Sequence, residues 1–305
     1  MQNFRIIYMP GMKPKPPVEI YRPELLRALL SGLTRVDVEI AREFEAASDA
    51  FRVVPWTFKF YRRHADIEID RPGIEALLQN PDPSEEDIAE IDSVARKVAR
   101  AIKVLGDAAP WFGRLIARSE TRLTLREARG YFSNHARVGD EIRFMLKTEL
   151  REAWRDKCCV LLIGHSLGSV IAYDTLWELT HTDDSEGHAD FFITLGCPFA
   201  TRFVARRIRG AKRSGAERYP GNIRRWANFS ARAEMTALHP ELAPYYREML
   251  DLGLLESLDD YMDIYNHFRG PLGINPHKSY GYLANAAVAV RIAGWLAKVI
   301  RSEAE

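Results

Sequence analysis

Cysteine is scarce in this sequence: three residues in 305, two of them adjacent at Cys158 and Cys159. Such a set makes no disulfide framework, so a reducing compartment is expected, and no Cys/His spacing suggests a metal. Cys159 and Cys197 fall in apolar, strand-like runs and read as core fillers. An excess of charge is lacking too. The formal net charge of +1 argues against a chain built mainly to bind nucleic acid. No G-x-x-x-x-G-K-[ST] phosphate loop and no internal repeat are found, and no cofactor is implied. The apolar stretch 283–300 is interrupted by Asn285, Arg291 and Lys298, which suits a packed helix better than a membrane span. The first residues lack the charged and apolar regions of a secretory leader, so a cytoplasmic protein is expected.

Core-forming residues, by contrast, are abundant. Hydrophobic residues make up 47% of the chain, enough for one α/β domain of about 200–250 residues plus an insertion. The most informative stretch runs from Cys159 to Tyr173. Five apolar residues, Cys159 to Ile163, suit a strand covered on both faces. Gly164-His165-Ser166-Leu167-Gly168 follows, and Leu167, Val170, Ile171 and Leu176 then give one apolar helical face. A serine between small residues at a strand-to-helix turn can be held in a strained conformation. Its hydroxyl then projects above the sheet at the positive end of a helix dipole. The N–H of Leu167 would lie beside the reacting carbon as half of an oxyanion hole.

Gly164-His165-Ser166-Leu167-Gly168 in this setting resembles the nucleophile elbow of α/β-hydrolases, especially lipase- and esterase-like members. The resemblance implies a mostly parallel central sheet with helices on both faces. It also implies that an acid and then a histidine follow the serine along the chain. In that family the loop after an early strand carries the second oxyanion donor. Here the strand is 4–9 and the loop is Pro10-Gly11-Met12, so the N–H groups of Gly11 and Met12 are the candidates. Lipase-like relatives often carry Trp-x-Asn with the acid eight positions after the tryptophan. Trp226 and Asn228 match, and Glu234 falls on the acid position, with Asp263 and then Asp260 as alternatives. The turn-rich loop Gly273 to Tyr280 matches the family's histidine loop, including His-x-Ser-Tyr, which makes His277 the base and His267 the alternative. His165 is expected to pack or hydrogen-bond beneath the elbow.

The rest is read as a single domain over 1–305 with a helical insertion or cap at about 62–139. Within that insertion a helix starts at Ser84-Glu85-Glu86-Asp87 and continues towards Gly106. The bend around Trp111, Phe112, Leu115 and Ile116 either packs on its own domain or touches a membrane surface peripherally. Pro23 is expected in the first turn of a leucine-rich helix. Residues 34–50 fit a strand or a helix, and 51–60 read as a strand. Asp140 reads as a helix cap, Phe191–Leu195 and Ile223–Phe229 as strands, and Met262–Asn266 as the last strand. The basic stretch 202–225 is either a rim for anionic groups or a solvated loop.

A serine hydroxyl is a poor nucleophile near neutral pH. It needs a base to take its proton and a carboxylate to orient that base. The expectation is therefore a serine hydrolase cleaving a carboxylic ester of a small molecule or lipid through an acyl-enzyme. Ser166, His277 and Glu234 would be the reacting set. Two alternatives remain open at this level: an acyltransferase using the same set, and a hydrolase-fold interaction protein with impaired catalysis.

Overall fold

Alternate residues of the strands feed two separate cores, and that alternation builds the molecule. In this computed structural model residues 4–93, 128–183, 185–234, 237 and 241–301 are described. Among them β1 (Phe4–Met9), β2 (Phe51–Val53), β3 (Cys159–His165), β4 (Ala189–Leu195), β5 (Ile223–Ala231) and β6 (Ser257–Ile264) form one six-stranded sheet. Every pairing is parallel, in the order β2-β1-β3-β4-β5-β6. A short antiparallel hairpin joins β7 (Arg269–Gly270) to β8 (Gly273–Ile274).

The helices are α1 (Val18–Val36), α2 (Val38–Ala46), α3 (Trp56–Tyr61), α4 (Arg71–Gln79) and α5 (Glu85–Ile91), then α6 (Val138–Arg155) and α7 (Leu167–His181). The short α8 (Arg202–Ala205) follows, with α9 (Ala243–Asp251), α10 (Ser279–Leu283) and α11 (Ala286–Arg301). Ile6, Tyr8, Leu161 and Ile163 pack with Leu25 and Leu29 of α1 and Ile292 and Leu296 of α11. Ile7, Met9, Val160 and Leu162 point the other way, onto Ile142 and Leu146 of α6 and Val170 and Ile171 of α7. A one-residue slip of β1 or β3 would exchange these sets, so burial on both faces fixes the register. The chain is thus α/β, with an all-parallel sheet flanked by helices. The strand order reverses beside β1, between β2 on one side and β3 on the other. In open α/β sheets the C-terminal strand ends at such a switch point are where ligands bind.

Several local expectations hold. Ser84 caps α5 in a reciprocal capping box with Asp87. α11 buries Val288, Ile292, Trp295 and Leu296 as a packed helix, and among the described residues no helix is long and apolar enough to cross a membrane. Others are corrected. α1 begins at Val18, directly after Pro16-Pro17, so Pro23 sits inside the helix rather than in its first turn. Residues 34–50, which were open between strand and helix, are helical apart from Asp37 and Ala47, because the Asp37 side chain accepts the N–H groups of Glu39 and Ile40 and restarts the helix after α1. The strand at Phe51 stops at Val53, and the aromatic run continues as α3. Asp140 lies in the first turn of α6 instead of capping it, with its carboxylate on Asn134 and Arg143. The last strand of the sheet is Ser257–Ile264, earlier than Met262–Asn266.

In the stretch read as an insertion, α4 buries Ile74 and Leu77 in the same core as α1. The bend at Trp111, Phe112, Leu115 and Ile116 lies outside the described residues. Part of the basic stretch 202–225 is tied down. Arg209 pairs with Glu178 at 2.9 Å, Arg224 with Asp190 at 3.4 Å and Arg213 with Glu217 at 3.6 Å. The Arg209 N–H also reaches the buried Asp174 carboxylate on α7 at 2.7 Å, and the Tyr131 hydroxyl donates to the same carboxylate at 2.8 Å.

Burial pushes the Asp174 carboxyl up to about 6, against the pull of those hydrogen bonds and of Arg143. Its folded value lies above the unfolded one, so the folded state holds the extra proton between about pH 4 and 6. Stability from this group is therefore fully present at low pH and is lost as pH rises through about 6. Comparing the protein with Asp174→Asn by urea unfolding tests this. The stability difference should move against the parent by roughly 2–3 kcal/mol between pH 4 and 7. A difference independent of pH would contradict it.

Candidate active site

β3 ends at His165, and α7 starts one residue after Ser166. Ser166 takes φ 55° and ψ −127°, a backbone region that costs a non-glycine residue about 1–3 kcal/mol. Neighbouring contacts hold it there. The Ser166 N–H donates to the Leu195 carbonyl at 2.9 Å, and the Ser169 N–H donates back to the Ser166 carbonyl at 3.1 Å. The flanking glycines are steric requirements. A Cβ on Gly164 would stand 2.5 Å from Ser169 Cα, and one on Gly168 would stand 2.2 Å from the Met9 carbonyl oxygen. The first turn of α7 is thereby pressed against the end of β1.

The loop after β1 closes over the same point. A Cβ on Gly11 would lie 2.8 Å from Ser166 Cβ, so only a glycine lets this backbone come so near. Trp56 Nε1 donates to the Pro10 carbonyl at 2.7 Å, and the Lys13 N–H donates to the Tyr61 hydroxyl at 3.0 Å. α3, the segment read as strand, is therefore the brace of this loop. Among the described residues the turn and loop hydrogen bonds do not use the N–H groups of Gly11, Met12 or Leu167.

Glu234 and His277 meet beside the elbow. Glu234 follows β5 through Ala233, at φ 58°, and its side chain is fully buried. The carboxylate Oε2 accepts from His277 Nδ1 at 2.9 Å and from the Tyr282 hydroxyl at 3.0 Å. That hydroxyl in turn accepts the Ala231 N–H at 3.0 Å. Burial, followed by the charge of Glu234, raises the Tyr282 phenol well above its ordinary value, so it stays a donor. The carboxylate can only accept when ionised, which puts the His277 proton on Nδ1 and leaves Nε2 as an acceptor.

His165 supports the histidine loop from below. Its Nε2 faces the His277 carbonyl at 2.8 Å, and the two rings lie 4.7 Å apart. A carbonyl only accepts, so Nε2 carries the hydrogen. Burial, then the charges of His277 and Lys15, holds His165 well below the usual imidazole range, and it stays neutral.

The alternatives lie elsewhere. Asp260 accepts the N–H groups of Leu242 and Ala243 and the Asn228 side chain, so it fixes the start of α9. Asp263 is exposed, and its nearest partner is Arg232 at 3.9 Å. His267 is half-buried, with Nε2 on the Asn80 carbonyl at 2.9 Å. Trp226 and Asn228 join Thr194 in a buried chain, Trp226 Nε1 to Thr194 Oγ1 and Thr194 Oγ1 to Asn228 Oδ1, each 3.0 Å.

Two participants escape sequence reasoning. Tyr282 carries no motif signal. Gly196, at φ +55°, has no room for a Cβ, which would stand 2.9 Å from Glu234 Oε2 and 3.0 Å from His277 Nδ1. The Gly196-Cys197-Pro198 turn at the end of β4 was its only trace in the sequence. Comparison with protein-family models, with curated proteins and with solved structures finds no match to this chain.

Glycine at position 166 should relieve this strain. Removing about 1–3 kcal/mol of strain outweighs the roughly 0.5–1 kcal/mol that glycine adds to the unfolded chain's entropy. Ser166→Gly should therefore be more stable than Ser166→Ala by about 1 kcal/mol in urea unfolding. A less stable glycine variant would mean that the turn is unstrained.

Proposed function

We propose that this chain has an α/β-hydrolase fold and works as a serine hydrolase, cleaving carboxylic esters through an acyl-enzyme. The observation that carries the reading is the buried Glu234 carboxylate, 2.9 Å from His277 Nδ1, at the end of the sheet where Ser166 turns out of β3. Its buried partner fixes the imidazole tautomer, so Nε2 can take the Ser166 proton as Oγ attacks the ester carbonyl. The N–H groups of Leu167 and of the Gly11-Met12 loop hold the oxyanion that forms. The imidazolium then protonates the leaving alcohol, and the acyl group stays on Ser166 Oγ. Water, deprotonated by His277, attacks that acyl group, and serine is regenerated as the acid product departs.

Glu234 stabilises the imidazolium in both halves of the reaction. A serine hydroxyl with an oriented base is the target of a fluorophosphonate probe. Peptide mapping should place the label on Ser166, and Ser166→Ala should lose both labelling and ester turnover. Turnover within about tenfold of the parent would sink the reading, since such serines contribute near 10⁶.

The acid has its own test. Glu234→Gln keeps the size and removes the charge, and should lower kcat by about 10²–10⁴, while Asp263→Asn should cost less than about tenfold. The reverse ranking would move the acid to Asp263.

A further inference from the structure

The chain around Glu234 and the chain leading into His277 share a third neighbour, α5, to which the proposed chemistry assigns no part. The one fully buried side chain of α5 is Ile91, which belongs to neither core of the sheet. The described hydrogen bonds and ion pairs of α5 and its cap Asp92 with other elements all go to those two pieces of chain.

On the acid side, Arg232 lies between β5 and Glu234. Its Nη1 reaches the Asp92 carboxylate at 3.2 Å and donates to the Tyr265 hydroxyl at 2.6 Å. That hydroxyl also donates to Asp92 at 3.3 Å, and the Asp263 carboxylate stands 3.9 Å from Arg232 Nε. On the base side, Arg269 opens the β7–β8 hairpin that leads into the His277 loop. Its guanidinium meets Asp87 and Glu90, neighbours on one face of α5, each at 2.9 Å. Glu90 Oε1 also accepts the Ile274 N–H at 3.2 Å.

α4 holds the same hairpin by close packing instead. A Cβ on Gly73 would stand 2.2 Å from the Arg269 carbonyl oxygen and 2.7 Å from Phe268 Cζ. Lys278, next to His277, pairs with Asp70 just ahead of α4 at 2.6 Å. What α5 adds is a link between the hairpin and the acid's chain, and the link is made of charges.

Glu234 and His277 arrive on separate pieces of chain, so their 2.9 Å contact depends on what fixes those pieces to each other. A displacement of about 1 Å in a catalytic group can cost about 10²-fold in rate. The side chains of Arg269 and Arg232 are 48% and 37% exposed. Ion pairs this open add little to overall stability. A set of them converging on the two loops acts on geometry instead. We propose that α5 is a charged cross-brace between the acid and base loops, and that Asp92 and Arg269 are positioning residues for Glu234 and His277. Its effect on turnover rests on the serine-hydrolase reading. Its effect on the His277 imidazole does not.

The test compares the full chain with Arg269→Met, Arg269→Lys and Asp92→Asn on a soluble p-nitrophenyl ester, at about 0.05 and 1 M sodium chloride. At low salt, Arg269→Met and Asp92→Asn should each lower kcat about five- to tenfold, with KM within about twofold and little change in Tm. Arg269→Lys keeps a cation and should recover most of that loss. High salt screens the pairs, so it should lower the parent's kcat at least about threefold and leave Arg269→Met nearly unchanged. The His277 Nδ1 proton signal should broaden or move upfield in Arg269→Met, in Asp92→Asn, and in the parent at high salt. The salt series needs no variant, so a misfolded substitution leaves the proposal open to refutation. Overturning results are a kcat and His277 signal unchanged in both variants, an equal salt response in parent and Arg269→Met, or a parent indifferent to salt. A parent that turns over no ester contradicts the hydrolase reading instead, and the His277 signal alone then decides the brace.

Discussion

Ser166 keeps its left-handed backbone only because two chain segments leave it no room to relax. On one side the N–H is held by the Leu195 carbonyl, and on the other Gly164 and Gly168 bring α7 hard against β3 and the end of β1. Each contact lies at the C-terminal end of a strand, so the parallel register of β1, β3 and β4 determines where the serine points. The strain, about 1–3 kcal/mol, is small beside the burial of β3 on both faces. A well-packed sheet tolerates it, and Ser166 is held at the C-terminal end of β3.

The same ends assemble the rest of the candidate site. β4 finishes at Leu195, and Gly196 then leaves a gap the width of a methyl group. The Glu234 carboxylate, arriving from β5, and His277, arriving from the loop before α10, occupy that gap. Tyr282 links the two levels, since its hydroxyl joins the Ala231 N–H to the Glu234 carboxylate. A buried carboxylate with two donors is pre-organised to hold a histidine and stabilise its charged form. This is what the proposed ester chemistry asks of it. His165 adds rigidity without adding charge, because burial keeps it neutral.

Much of this was legible in the sequence, and the unread parts have physical reasons. β3 and α7 were readable because both are buried nearly all round, so long apolar runs flank the Gly-x-Ser-x-Gly turn. Glu234 and His277 were readable through short local patterns, Trp226-x-Asn228 and His277-x-Ser279-Tyr280. Gly196 and Tyr282 were not, because their roles exist only where β4, β5 and α10 converge. Residues 51–60 misled because aromatic and β-branched residues favour strands, yet Trp56 and its neighbours are needed as a helical brace on the loop at Pro10. β6 misled for the opposite reason. As an edge strand, with Asp259, Asp260 and Asp263 in it, it lacks the apolar signature of a buried strand.

The central claim is that Glu234 fixes the tautomer of His277 so that its free nitrogen serves Ser166. Nitrogen-15 NMR of the imidazole side chains, recorded at a pH where His277 is neutral, reads that tautomer directly. The account predicts a protonated Nδ1 whose proton is shifted downfield by the Glu234 hydrogen bond, together with an unprotonated Nε2. A His277 that carries its proton on Nε2, or that samples both tautomers equally, would contradict it.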